Sequence, residues 1–183
     1  MAGKDFVFVD QYRSDCIPAD LVETLLDLDN GTTKLTANAT NFEFTDGTNT
    51  ATVAHSGIYA ADTDIDVMVV RIGASMAVGI APAGGSVTWS TTQTYSEPTY
   101  HSKLYIAPTQ VAPHYIELAG IYDADEFATI GDAKTWVEGQ VTAGWPGDAS
   151  AVGVTIRPAL RSNLSAATRE SSVRRAGINP LLK

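Results

Sequence analysis

Apolar and polar residues alternate through much of the chain with a period of two, which predicts strands that bury one face. Residues 32–55 show this pattern most clearly, with threonine at many of the polar positions. Within them, Asp46-Gly47 separates two apolar runs and predicts a tight hairpin. Residues 65–72 are rich in β-branched side chains and predict a central strand, and residues 75–81 predict the next.

The first thirty residues combine two different patterns. Residues 4–9 carry Phe6 and Phe8 on one side and Val7 and Val9 on the other, so they predict a strand that is covered on both faces. Residues 18–29 space their apolar side chains as a helix does, begin with a proline and end at Asn-Gly. This segment therefore predicts a helix of about three turns.

The second half of the chain contains shorter pieces. Residues 87–95 predict a threonine-rich strand, and residues 100–107 and 114–122 predict extended pieces that their flanking prolines place in loops or at sheet edges. Asp123 has the position of a helix cap, and residues 132–137 predict a further short turn beyond Gly131. The last predicted strand covers residues 151–156.

Short strands at intervals of about 8–15 residues are typical of antiparallel β-sandwiches and barrels. The predicted fold is therefore mainly β, an antiparallel β-sandwich or barrel with one or two short helices and an extended C-terminal arm. Residues 1–154 form the predicted β-rich body and residues 155–183 the predicted arm. A hydrophobic share of 44% is sufficient for one sizeable core.

Charge separates the arm from the body. The arm carries six basic residues and one acidic residue, a net charge of +5, whereas the other 154 residues carry six basic and twenty acidic residues, a net charge of −14. An acidic body repels nucleic-acid phosphates, so direct nucleic-acid binding is not expected. The arm predicts a docking segment, because cations alternate in it with apolar anchors. The predicted partner-binding residues are Arg157, Leu160, Arg161, Leu164, Arg169, Arg174, Arg175, Ile178, Leu181 and Leu182.

Three motifs have features of catalytic or metal sites, and none is complete. Asp62, Asp64 and Asp66 have the opening spacing of a calcium loop, but the required glycine and glutamate are missing. Ser75 lies in a sequence that lacks one glycine of a nucleophile elbow, so a turn between two strands is predicted there instead. The three histidines, at positions 55, 101 and 114, lack metal-ligand spacing. We therefore predict no catalytic residues, no metal, no cofactor and no enzyme activity; a hydrolase assembled from distant residues is the alternative.

Cys16 is the sole cysteine, which precludes an intrachain disulfide, and no apolar run is long enough to cross a membrane. No secretory signal is recognised, so synthesis in the cytoplasm and no membrane partner are expected. The middle of the chain is rich in aromatic residues, which could line a sugar-binding face, so a carbohydrate-binding module is an alternative function. The competing interpretation is that these residues pack in the core or at an interface. The candidate residues are Trp89, Tyr95, Tyr100, Tyr105, Tyr115 and Tyr122.

Two stretches carry a resemblance to a known class of proteins: FTDGTNTATVAHSG at residues 44–57 and the Arg/Leu-bearing arm TIRPALRSNLSAATRESSVRRAGINPLLK. In style they resemble structural proteins of tailed-bacteriophage virions, above all capsid decoration (cement) proteins. The resemblance implies a β-sandwich or barrel that forms homo-oligomers, possibly trimers, and binds a major capsid protein lattice. It implies location in the virion after synthesis in the host cytoplasm. A neck, tail or fibre component is the alternative, and no functional residue is carried over.

Overall fold

The computed structural model describes residues 5–14, 18–20, 23–28, 31–96, 105–109, 114–143 and 155–156. Within these ranges the chain forms strands, one α-helix and a 3-10 turn. The strands are β1 (Phe6–Ser14), β2 (Glu23–Asp27), β3 (Lys34–Ala37), β4 (Asn41–Thr45), β5 (Thr50–Ala54), β6 (Ile65–Ile72), β7 (Ser75–Pro82), β8 (Thr88–Trp89), β9 (Gln93–Thr94), β10 (Tyr105–Thr109), β11 (His114–Asp123) and β12 (Thr155–Ile156). The 3-10 turn is Pro18–Asp20, and helix α1 is Ile130–Ala143.

The strands form two antiparallel sheets. Sheet A has the order β12-β11-β1-β6-β7-β8, with β9 also paired to β7, and sheet B has the order β10-β2-β3-β4-β5. Neighbouring strands in the chain are often neighbours in a sheet, as in β6–β7 and the run β2 to β5. The predicted fold class, mainly β and of β-sandwich type, is confirmed.

The main core lies between the two sheets. Alternate side chains of β1 and β6 point into it from sheet A, among them Phe8 and Val67, and Leu35, Phe42 and Phe44 meet them from sheet B. All five are fully buried. Phe6 and Phe44 pack edge to face, with ring centroids 6.3 Å apart. The period-two pattern of residues 32–55 therefore arises because one side of sheet B faces this core.

A second core lies on the other face of sheet A, under helix α1. Val7, Val9 and Val70 point into it from the sheet, and Ala133 and Val137 from the helix. Sheet A is therefore covered on both faces, which explains why every residue of β6 is buried. The prediction of a strand with two buried faces at residues 4–9 is confirmed for its described strand residues, which begin at Phe6.

The predicted helix over residues 18–29 is wrong. The described part of this segment is a 3-10 turn at Pro18–Asp20 followed by strand β2. The register between β2 and β3 shifts between Thr24 and Leu26, so Leu25 and Leu26 are both buried although they are adjacent. Such a bulge breaks the period of two. Because of this bulge, the buried leucines of the segment are spaced along the sequence as they would be on one face of a helix.

The predicted helix start at Asp123 is also wrong. Asp123 pairs with Phe6 as the last residue of β11, and helix α1 begins at Ile130. Thr129 is the N-cap: its Oγ1 accepts a hydrogen bond from the Asp132 backbone N–H at 3.2 Å, and the Thr129 N–H donates to Asp132 Oδ2 at 3.0 Å. This reciprocal pair is a capping box. Gly131 therefore lies inside the first turn and does not interrupt the helix.

The shorter predicted pieces have mixed outcomes. Residues 87–95 form two short strands, β8 and β9, where one strand was predicted. β10 lies at the edge of sheet B as predicted, but β11 lies between β1 and β12 in the interior of sheet A. β11 begins at His114 and contains no proline, which is compatible with an interior position. Of the strand predicted at 151–156, the described residues are Thr155–Ile156, which form β12.

Candidate functional site

The predicted arm leaves the body from an edge of sheet A. Its first two residues, Thr155 and Ile156, form β12 and pair with Gly120 and Ala119 of β11. The ten predicted partner-binding residues lie outside the described residues: Arg157, Leu160, Arg161, Leu164, Arg169, Arg174, Arg175, Ile178, Leu181 and Leu182. Their role therefore stays a prediction.

Within the described ranges, most of the exposed carboxylates lie near helix α1. Six acidic residues of the described ranges are exposed, and four of these lie in the turn before the helix or on it: Asp125, Glu126, Asp132 and Glu138. Lys134 is the basic residue among the described residues of the helix, and it is half-buried. Four other acidic residues are buried, namely Asp10, Glu23, Asp46 and Asp66. This side of the body consequently offers a negative surface to a basic segment.

Lys134 and Glu138 hold helix α1 against strand β8 through Trp89. The Trp89 indole N–H donates to Glu138 Oε1 at 2.8 Å, and Lys134 Nζ lies over the indole ring, 5.2 Å from its centroid. Lys134 Nζ also donates to Thr92 Oγ1 at 3.1 Å. Burial lowers the pKa of Lys134, and the neighbouring Glu138 carboxylate opposes that shift. Gly79 lies against the indole, because a Cβ at that position would be 2.7 Å from the ring.

The aromatic residues of the carbohydrate-binding alternative do not share one face where they are described. Tyr95 is buried in the core between the sheets, and Tyr122 is buried in the core under helix α1, on the opposite face of sheet A. Burial raises the pKa of the Tyr122 hydroxyl. Trp89 is half-buried and held by its contact with Glu138. Tyr100 and the side chains of Tyr105 and Tyr115 lie outside the described residues.

The motifs that suggested chemistry have structural roles where they are described. Asp64 forms two hydrogen bonds of 2.6 Å with the Arg13 guanidinium, and Asp66 is buried in β6. Ser75 begins β7 directly after the hairpin turn that contains Gly73, so the predicted turn between two strands is confirmed. No group of three or more His, Cys, Asp or Glu side chains within the described ranges is arranged to hold a metal ion.

His55 is the described histidine side chain, and it lies in the core at the end of β5. Its Nε2–H donates to the Asn38 carbonyl at 2.8 Å, and its ring packs edge to face against Phe42 and Tyr59. It is 2% exposed. His101 and the side chain of His114 lie outside the described residues. His55 therefore fixes the corner that joins β3, β4 and β5.

A contact that the sequence did not predict joins the β4–β5 hairpin to the end of β9. Asp46 Oδ1 accepts the backbone N–H of Thr48 at 2.8 Å and of Asn49 at 2.6 Å, and Oδ2 accepts the Ser96 N–H at 2.5 Å. Burial acts to raise the pKa of Asp46, but these N–H donors outweigh it and hold the pKa below its ordinary value. The Asp46-Gly47 pair predicts the turn, but Ser96 lies fifty residues further along the chain, so no local sequence pattern predicts its hydrogen bond to Asp46.

A second unpredicted contact closes the same end of the core. Asp5 Oδ1 accepts from Arg71 Nη1 at 2.9 Å and from the Gly73 N–H at 2.8 Å. The Arg71 guanidinium also lies over the Tyr95 ring, 4.8 Å from its centroid, and Tyr95 stacks on Phe44. Arg71 appeared in the sequence as the lone cation of an apolar strand. Its side chain lies on the side of β6 that faces the core between the two sheets, where the Asp5 carboxylate compensates its charge.

Comparison with known proteins gives no family for the chain. No protein-family model and no curated protein match it. Among solved structures, a receptor-binding domain of botulinum neurotoxin mosaic serotype C/D is similar at 13% identity and a TM-score of 0.46, over 75% of this chain and 37% of that chain. The chain thus spans well under half of that structure, and a similarity at this level carries no argument about function. No α-helix in the described ranges is long and apolar enough to cross a membrane.

Proposed function

We propose that the chain is a structural protein of a virion, a capsid decoration subunit that binds a shell lattice and copies of itself through its C-terminal arm. The observation that carries the proposal is the division of charge: a body of −14 and an arm of +5 within one chain. Opposite charges steer association and fix register between partners. A basic arm on an acidic body therefore favours contact between neighbouring copies.

The point of departure of the arm supports this proposal. β12 is two residues long and lies at an edge of sheet A, so the chain that follows it starts at the periphery of the body. The 27 residues that follow Ile156 have an extended reach of up to about 90 Å, several times the width of one sheet. That length is sufficient for the arm to contact a neighbouring subunit.

The exposed carboxylates near helix α1 supply a surface of suitable charge on that neighbour. Asp125, Glu126, Asp132 and Glu138 are all exposed, and the basic Lys134 among them is already engaged with Trp89 and Thr92. Ordering an arm costs conformational entropy. Burial of the arm's leucines and isoleucine must offset that cost, while the arginines give the contact its specificity.

The arm contact is tested with a labelled peptide of residues 157–183 and a truncated body of residues 1–156. Fluorescence anisotropy should show binding that weakens between 50 and 500 mM salt, because exposed charges are screened. A peptide with Arg157, Arg161, Arg169, Arg174 and Arg175 changed to Glu should not bind, whereas the matched Arg→Lys peptide should retain most of the affinity. Equal binding by the Glu and Lys peptides would refute the docking mechanism.

The virion part of the proposal needs a separate test. Antibodies against the body should label the head shell of purified particles in immunogold electron microscopy. Absence of the protein from purified particles would contradict the location, even if the peptide binds the body.

A further inference from the structure

The edges of the two sheets differ in how they are protected against pairing with another strand. β8, β9 and β12 are two residues long, and β10 contains Pro108 and a register shift between Ile106 and Thr109. Short strands, prolines and irregular register all discourage strand addition. β5 has none of these features: it is five residues long, carries no charge and no proline, and keeps an unbroken register with β4.

The outward hydrogen-bonding groups of β5 follow from its ladder with β4. The Asp46 N–H donates to the Asn49 carbonyl at one end, and the His55 N–H donates to the Thr40 carbonyl at the other. Hydrogen-bonded and non-hydrogen-bonded pairs alternate along an antiparallel ladder. Ala51 and Val53 therefore direct their N–H and C=O groups to β4, and Thr50, Thr52 and Ala54 direct theirs away from it.

Those outward groups face an open edge. In the described part of the chain, sheet B ends at β5, and Thr50, Thr52 and Ala54 are all exposed. The side chains of Ala51 and Val53 point into the core between the sheets. The edge thus presents three N–H groups and three carbonyls on an uncharged strand of regular register with one apolar side, which is the arrangement that strand addition uses.

We propose that β5 pairs antiparallel with β5 of a second copy, about a two-fold axis that passes midway between the two Thr52 residues. In this register Thr50 lies opposite the partner's Ala54, Ala51 opposite the partner's Val53, and Thr52 opposite the partner's Thr52. The core-facing residues Ala51 and Val53 then lie opposite each other, and the solvent-facing residues lie opposite solvent-facing residues. No charged side chain of β5 lies opposite another charge. The outward N–H and C=O groups form hydrogen-bonded pairs, and the two B sheets join into one.

The size of the contact sets its strength. A five-residue strand pair buries far less than the 1,200–2,000 Å² of a standard stable interface (an approximate range). The dimer is therefore concentration-dependent and forms without the arm, so it is independent of the proposed arm function. Sedimentation of the full-length protein with the five arm arginines changed to Glu, which removes the arm contact, should show the mass rising from monomer towards dimer with concentration.

Cysteine cross-linking tests the register in the full-length protein, with Cys16 changed to Ser throughout. The two Thr52 Cα atoms of a hydrogen-bonded pair lie about 5.5 Å apart, within the range that a disulfide bridges. The two Thr50 Cα atoms lie about 14 Å apart, because each Thr50 is opposite Ala54, four residues along the partner strand from the other Thr50. Under mild oxidation Thr52→Cys should become a covalent dimer, and Thr50→Cys, equally exposed and on the same strand, should not.

A charge at the axis gives a second, reversible readout. In a protein whose five arm arginines are changed to Glu, Thr52→Lys places two like charges opposite each other and should abolish the dimer in sedimentation, whereas Thr36→Lys, on interior strand β3 in the same cross-strand row, should leave it. Circular dichroism checks that both variants keep the fold. The proposal is overturned if Thr50→Cys and Thr52→Cys cross-link equally, or if the full-length protein stays monomeric at every concentration.

Discussion

Asp46→Asn isolates a single hydrogen bond that links the two sheets. The Asn side-chain oxygen can still accept the Thr48 and Asn49 N–H groups, so the hairpin turn is retained. Its NH2 group then faces the Ser96 N–H, and two donors oppose each other where Oδ2 accepted a bond of 2.5 Å. The variant thus keeps the local turn and loses the contact across fifty residues.

The expected cost follows from the type of bond. Hydrogen bonds to charged groups contribute about 1.5–3 kcal/mol, and Asp46 is 3% exposed, so water does not replace Ser96. We expect Asp46→Asn to lower the free energy of unfolding by about 2 kcal/mol. For a chain of this size that is a fall in Tm of about 4–8 °C.

The pH dependence of the stability difference shows whether the loss in Asp46→Asn comes from the charged carboxylate or from altered packing. Burial alone would raise the pKa of Asp46, but the N–H donors of Asn49, Ser96 and Thr48 outweigh it, so the folded pKa lies below the ordinary value of 3.8. A depressed folded pKa contributes stability above the unfolded value, and that stability is lost as pH falls through the folded pKa. The gap between wild type and Asp46→Asn should therefore be constant above about pH 5 and shrink below pH 3.8.

Urea unfolding followed by tryptophan fluorescence from pH 7 to pH 3 measures this gap. Asp62→Asn is the matched control, because it removes the same charge from an exposed position with φ of +58°, which Asn also tolerates. It should change stability by less than about 0.5 kcal/mol. A gap that persists undiminished at pH 3, or an Asp46→Asn variant as stable as the control at pH 7, would refute the reasoning.

Three further substitutions test other contacts by urea unfolding. Gly79→Ala should cost about 1–3 kcal/mol because its Cβ meets the Trp89 ring at 2.7 Å, and the same change in a Trp89→Ala background should cost nearly nothing; equal costs in both would contradict the contact. Gly139→Ala should raise stability by about 0.8–1 kcal/mol, since nothing lies within 4 Å of the new Cβ and Ala favours a helix; a loss would show that the site is not open. Arg71→Met should cost about 3 kcal/mol because it removes the guanidinium partner of the Asp5 carboxylate, and a change under 0.5 kcal/mol would argue that this ion pair is dispensable.

The sequence predicted what depends on local pattern and missed what depends on distant partners. Residues 32–55 alternate regularly because sheet B has one buried face, and the hairpin at Asp46-Gly47 follows from the turn chemistry of those two residues. The bulge in β2 defeated the same reasoning, because burying both Leu25 and Leu26 removes the alternation. The bonds of Asp46 to Ser96 and of Trp89 to Glu138 join residues about fifty positions apart, and no local pattern marks such pairs.

The sequence also did not reveal the open edge of β5, although its residues lie in one of the two stretches that resemble virion proteins. TATVA predicts a strand, but it does not reveal whether a strand has one neighbour or two. That follows from the sheet order, in which the ends of sheet B are β5 and the proline-bearing β10. The charge of the arm, by contrast, is counted directly from the sequence, so it could be predicted without knowledge of the fold.

The two proposed contacts predict an assembly whose parts can be separated. Pairing of β5 is isologous and closes at two copies, whereas an arm that binds a different surface on its neighbour is heterologous and does not close by itself. A variant with the five arm arginines changed to Glu should therefore stop at the dimer. Thr52→Lys should lose the dimer contact but keep an association that salt weakens, and the double variant should be monomeric. Light scattering at 50 and 500 mM salt distinguishes these states. If Thr52→Lys also abolished the salt-sensitive association, the edge and the arm would belong to one contact, and the two-interface scheme would be wrong.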